Sequence, residues 1–169
     1  MYFTRAGLLN ADFIGFVPFS ELPAEDVPVG PGVYMVFRSA AHKPDFLPSS
    51  GAGWFKNKDP SVTRAELEAA WVAGASVMYI GKAGAGLRGN RGLSKRLSEY
   101  RQHGAGAKTG HWGGRYIWQL ADHGDALVAW KETPDEDPED VETALIQDFV
   151  LRFGSRPFAN RKNGRAAKP

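Results

Sequence analysis

Val77-Met78-Tyr79-Ile80-Gly81-Lys82-Ala83 is followed, after a glycine-rich turn, by Leu93-Ser94-Lys95-Arg96-Leu97-Ser98-Glu99-Tyr100. The first stretch opens on four apolar residues and reads as a short strand over 77–80. The second places Leu93, Leu97 and Tyr100 at i, i+4 and i+7, the spacing of one helical face, and predicts a helix over 93–102 that Gly104 stops. Arg96 and Tyr100 stand four positions apart and so face the same side of that helix.

Upstream, a possible short helix from Thr4 to Asn10 gives way to a proline-rich approach, Pro18, Pro23, Pro28 and Pro31. Pro31-Gly32 then punctuates the chain before Val33-Tyr34-Met35-Val36-Phe37, a dense β-type run that reads as a strand. Residues 39–61 have no period and read as a long loop. Ser61 or Thr63 caps a helix running to about Ala73, with Gly74 ending it. Downstream, residues 104–114 are a second glycine-rich loop, Gly114 to Leu120 reads as a short helix, and Ala126 to Lys131 as a third strand. Asp137-Pro138-Glu139-Asp140 combines a capping side chain, Pro at the first helical position and acids in the first turn, so a helix should run from there through Phe153 to Gly154. Three short strands interleaved with helices make a small α/β or α+β domain, and the tail after Asn163 should fray.

The 169 residues fit one domain, or one domain carrying an insertion, and 43% hydrophobic with 12% aromatic residues suffice for a core. The absence of cysteine excludes a disulfide scaffold, thiolate zinc ligands and a cysteine nucleophile. No run reaches the roughly 18 apolar residues of a membrane span, and the N-terminal residues do not follow the signal-peptide pattern, so the expectation is a soluble cytoplasmic protein. Net charge is only +2, but it is unevenly spread. Lys82, Arg88, Arg91, Lys95, Arg96, Arg101, Lys108 and Arg115 face a single acid, Glu99, between Gly81 and Tyr116. Arg152, Arg156, Arg161, Lys162, Arg165 and Lys168 follow near the end with no acid among them. Two basic blocks suit a polyanion ligand on one face, although ordinary solvated charge would look the same.

Gly84-Ala85-Gly86-Leu87-Arg88-Gly89 matches G-x-G-x-x-G between a strand and a helix. A dinucleotide site would also need an acid about 20 residues on, and the chain there reads His103 to Gly110 without one. The P-loop pattern fails too, because no Ser or Thr follows Lys82. The glycines read better as a flexible loop. His42, His103, His111 and His123 have no metal-ligand spacing and read as solvated loop residues; His111, beside Trp112 in a basic loop, is the one functional candidate. Glu142, Ile146, Phe149 and Phe153 lie at i, i+4, i+7 and i+11, so a carboxylate shares a face with core residues. A rim position favoured by the helix dipole would also account for it.

Together, Gly32-Val33-Tyr34 and Tyr79-Ile80-Gly81 resemble the two signature tripeptides of the GIY-YIG nuclease superfamily, with Val in place of Ile. Tyr79 to Ala83 followed by Leu93 to Tyr100 looks especially similar to the nuclease domain of the bacterial nucleotide-excision-repair incision protein. The Glu142 helix and Pro157-Phe158-Ala159-Asn160 complete the family order of Tyr, Tyr, Arg, Glu and Asn. The resemblance implies a nuclease domain over 31–162, with residues 1–30 as an N-terminal extension and 163–169 as a flexible tail, around a small three-stranded, mainly antiparallel sheet flanked by helices. The chain departs from the family where Tyr34 and Tyr79 lie 45 positions apart instead of across a tight hairpin, so residues about 39–76 read as an insertion. The turn between Tyr79 and Arg96 is longer than usual as well. Such insertions cost little stability if the strand ends still meet.

What the resemblance implies is a Mg²⁺-dependent endonuclease acting on DNA, with Mn²⁺ able to replace Mg²⁺ and RNA left open as a substrate. Glu142 would hold the metal. Tyr34 would act as general base, its phenol made more acidic by Lys82 and Arg96, since a free tyrosine titrates near 10. Arg96 would also grip the scissile phosphate. Tyr79 and Tyr100 would position water or phosphate, and Asn160 would orient the active-site segment. Lys95, Arg101, Lys108, His111 and Arg115 are the candidate nucleic-acid contacts. The competing reading is a non-catalytic nucleic-acid-binding module on the same fold, using Trp112 and the same basic residues. A third, a nucleotide-binding enzyme built on the Gly84–Gly89 turn, would respond to dinucleotide through tryptophan fluorescence.

Overall fold

A computed structural model describes residues 3–39, 43–162 and 164. His42, Arg165 and Lys168, and nearly all of the tail expected to fray, lie outside them. The chain forms an α+β fold in the order α1 (Arg5–Leu9), β1 (Ile14–Pro18), β2 (Gly32–Phe37), α2 (Arg64–Ala70), β3 (Val77–Ala83), α3 (Leu93–Gly104), β4 (Leu127–Glu132) and α4 (Pro138–Phe153). Short 3-10 helices at Leu22–Ala24, Arg115–Gln119 and His123–Asp125 link them.

The sheet has four antiparallel strands in the order β1-β4-β2-β3, not the three expected. The additional strand lies within the N-terminal 30 residues and pairs with β4 across a register shift between Gly15 and Val17. Phe16 within that irregularity has φ +61 and Gly15 has φ +92, so the strand does not alternate regularly. Phe3, Leu8, Phe13 and Phe16 are buried in the common core, which makes the N-terminal segment an integral part of the packing.

β2 is central, and Val33, Tyr34, Met35 and Val36 are all fully buried. Opposite Tyr34 stand Gly81 on β3 and Trp130 on β4. Alternation puts Tyr34, Gly81 and Tyr79 on one face of the sheet, and Val33, Met35 and Ile80 on the other. The outer edge of β3 is closed by the segment after α4. Ala159 donates its N–H to Met78 O, and the Asn160 side chain accepts from Ile80 N at 2.9 Å and donates to Ile80 O at 2.8 Å. One asparagine amide thus occupies the place of the next strand residue and covers the exposed edge.

The helices start where the sequence predicts. Thr63 and Glu66 form a reciprocal capping box on α2, which ends at Ala70, short of the expected Ala73. Asp137 caps α4, with Pro138 at its first position, and left-handed Gly154 ends it. α3 has no side-chain cap. Its first amides, Leu93 N and Ser94 N, donate instead to Gly30 O and Pro28 O, which fastens the helix to the segment leading into β2. A Cβ at Gly92 would lie 2.1 Å from Val29 O, so this close approach requires glycine.

Residues of the expected 39–76 insertion fold down on the domain. Leu47 N donates to Gln119 O and Ala121 N to Asp45 O. The Gln119 amide donates to Leu47 O and Val62 O and accepts from Val62 N. Among the described residues, no helix is long and apolar enough to cross a membrane.

Candidate active site

Four buried rings converge beneath α3. The Tyr34, Tyr79 and Tyr100 centroids lie 5.7–6.3 Å apart in pairs, and His111 stacks on Tyr100 at 3.6 Å and an interplanar angle of 2°. His111 Nε2 is 2.6 Å from the Tyr34 hydroxyl. The expectation of solvated histidines is therefore corrected for two of them: His103 and His111 are both fully buried. The glycine-rich 104–114 loop folds beneath α3 and carries His111 inward. Burial, reinforced by Arg96, holds the His111 imidazole well below its usual 6.5, so it is neutral. His123 is partly exposed.

Burial raises Tyr34 above the usual phenol value of 10, although Arg96 pulls the other way. The expected acidification of Tyr34 by Lys82 and Arg96 is thus outweighed. Lys82 is engaged elsewhere, with its Nζ 2.6 Å from Glu139 Oε1. Tyr79 and Tyr100 are pushed well above 10, also by burial. Tyr100 donates its hydroxyl to Gly114 O at 2.7 Å, so the side chain expected to position water or phosphate braces the loop instead. Arg96 donates to Gly110 O at 3.3 Å, and Glu99 lies 3.7 Å from its guanidinium.

Above these rings is a cleft with two lobes that share Tyr79, Lys82 and Glu142. The smaller lobe, about 270 Å³, adds Arg91, Arg96 and the Gly84 turn. The larger, about 480 Å³, adds Trp112, Glu139, Asn160, Arg161 and Lys162. Glu142, half-buried near the start of α4, makes no hydrogen bond or ion pair among the described residues. Desolvation raises its carboxyl to about 7; Lys82 and Arg96 oppose the rise and Glu139 adds to it. Among the described residues no three His, Asp or Glu side chains converge as a ready metal cage. A cation here would have Glu142 as its protein donor.

The structure brings Tyr34, Tyr79, Arg96 and Glu142 together, with Lys82 beside them and Asn160 behind β3. It does not do so for all the expected nucleic-acid contacts. Lys95 and Lys108 are exposed and Arg101 is partly so. Arg115 is buried, donates to Pro60 O at 3.1 Å, and packs against the Trp112 and Tyr116 rings. Its side chain is thus held inside the fold. Arg161 and Lys162 line the cleft but were read only as part of a basic block. No family model, curated protein or solved structure matches the chain.

Proposed function

We propose that the chain is a Mg²⁺-dependent endonuclease that hydrolyses phosphodiester bonds in DNA through a single-metal site of the GIY-YIG type. The observation that carries this reading is the meeting of Tyr79 from β3, Arg96 from α3 and Glu142 from α4 at one cleft, with Tyr34 from β2 buried against them. The donor set fits the metal. Glu142 offers hard carboxylate oxygen at a cleft wide enough for water and phosphate oxygens, and Mg²⁺ is commonly held by one or two carboxylates while keeping several waters. When bound, the ion would neutralise phosphate charge and polarise the phosphorus centre.

The chain's own residues supply the rest. Arg96, which lines the cleft and also bears on Tyr34, would take the scissile phosphate in a charge-assisted contact. Tyr79 would position a phosphate oxygen from the shared floor. Tyr34 lies one layer below, so phosphate drawing Arg96 outward would open its hydroxyl to the attacking water. A phenol with a raised pKa is a poor base alone. Here it would pass its proton to neutral His111 Nε2 as it accepts one from water, and the negative charge that balances the imidazolium would develop on the attacked phosphate, where Arg96 neutralises it. Water would protonate the leaving oxygen. Asn160 acts by fixing β3, and touches no reacting atom.

The test is cleavage of supercoiled plasmid with Mg²⁺, with EDTA, and with Glu142→Ala. Mg²⁺-dependent nicking that EDTA and the variant both abolish is expected. Wild-type turnover by the variant would refute the metal site, and salt-sensitive DNA binding without cleavage would favour the binding module.

A further inference from the structure

The larger lobe of the cleft is unlike the smaller one, because an indole lines it in addition to the shared Tyr79. Trp112 lies immediately after His111, is partly exposed, and lines this lobe together with Arg161 and Lys162. Its ring is held by an uncommon support. The buried Arg115 guanidinium sits 4.6 Å from the Trp112 ring and 5.0 Å from that of Tyr116. Arg115 Nε is tied to Pro60 O, while its buried Nη1 has no hydrogen-bond partner. A buried cation with one unpaired nitrogen is costly, and the two rings beside it offset that cost only while they stay in place. Arg115 thus covers part of Trp112 from inside the fold and leaves the remainder to the cleft.

An indole fixed in this way, with two exposed cations beside it and the Glu142 floor next to it, has the parts of a stacking subsite. Aromatic platforms stack any base, whereas cations track the backbone. Bases within a duplex are already stacked on their neighbours and cannot offer a free face. We propose that Trp112 stacks the base of a nucleotide adjacent to the cleaved phosphate, so that the chain acts on single-stranded or extruded DNA. The scissile phosphate then lies on the floor shared by Tyr79, Lys82 and Glu142, and Arg161 and Lys162 hold the next phosphate. This rests on the endonuclease reading for the word "cleaved", but not for the stacking itself.

The test is equilibrium binding of a fluorescent oligo-dT strand and of a duplex of equal length, in EDTA, to wild type, Trp112→Ala and Trp112→Phe. Expected are tighter binding of the single strand, a loss of about 5- to 150-fold in Trp112→Ala, and near-wild-type affinity in Trp112→Phe. Oligo-dT should also quench tryptophan emission in the wild type, and much less in Trp112→Phe, a readout that does not depend on how the alanine variant folds. Trp112→Ala binding within twofold of wild type, or equal quenching in Trp112→Phe, would overturn the proposal. Trp112-dependent binding with no cleavage on adding Mg²⁺ would uphold the stacking subsite while refuting the nuclease.

Discussion

The hydroxyl of Tyr34 and Nε2 of His111 lie 2.6 Å apart in a fully buried pair, although 77 positions separate them in the chain. If that contact carries the proton, His111→Ala should lower kcat by about 10²–10⁴-fold, the usual worth of general acid–base help. Tyr34→Phe should do the same. Both should bind DNA in EDTA as the wild type does. Because the imidazole is held well below 6.5, kcat at saturating Mg²⁺ should show no loss centred on 6.5. His111→Ala with wild-type kcat, in a protein that melts normally, would remove His111 from the mechanism.

Gly81 faces Tyr34 across the β2–β3 pair, and the reason it is glycine is steric. A Cβ there would lie 2.5 Å from Tyr34 Cζ, 2.6 Å from its hydroxyl oxygen and 2.8 Å from Tyr79 Cε1. Neither ring can yield easily in a packed core. Gly81→Ala should therefore displace both tyrosines, cost about 1–3 kcal/mol, and depress cleavage far more than DNA binding. Chemical denaturation paired with single-turnover kinetics would check this. An alanine variant with unchanged turnover would mean that the tyrosine geometry is not critical.

Asn160 meets both backbone groups of Ile80 through one side chain. Asn160→Ala leaves a buried N–H and C=O without partners, at about 1–3 kcal/mol for each. The melting temperature should drop by several degrees, since ~1 kcal/mol is about 2–4 °C at this chain length. Asn160→Asp should be no better, because a carboxylate cannot donate to Ile80 O. A melt within a degree of wild type for both variants would show that the edge of β3 is held by something else.

Much of this arrangement was legible in the sequence. The strands at Val33–Phe37 and Val77–Ile80, the capped helix at Asp137 and the shared side of Arg96 and Tyr100 all depend on local period and turn chemistry, and all appear. β1 was hidden because Gly15, left-handed Phe16 and Pro18 break the alternation by which a strand is recognised. His103 was misread because α3 runs past the expected end at 102 and keeps it on the buried face, three positions after Tyr100; His111 was misread because a glycine-rich loop says nothing about which way it folds. The same gap hid the burial of Arg115: a cation in a basic block is indistinguishable in sequence from one packed against two rings. Residues joined only by tertiary packing, as Tyr34 is with His111, leave no periodic trace.

On the proposed reading, Glu142 would couple stability, metal and pH in one group. Its carboxyl stands at about 7 in the folded protein against a usual 4.5. Below about 4.5 it is protonated in both states and costs nothing. Between 4.5 and 7 the unfolded chain releases the proton that the folded chain keeps, so stability falls as pH rises, and above 7 the full cost of about 3 kcal/mol is present. Glu142→Gln should remove that cost. It should melt on the order of 6–12 °C above metal-free wild type at pH 8, match it near pH 4, and be catalytically dead. Mg²⁺ held by Glu142 would have to displace the same proton, so its apparent affinity should weaken about tenfold for each pH unit below 7. Melting curves of both proteins across pH 4–8, with Mg²⁺ and with EDTA, test the whole linkage. A Gln variant no more stable than wild type at pH 8 would show that the Glu142 carboxylate is not held under strain. Mg²⁺ affinity flat with pH would separate the metal from Glu142.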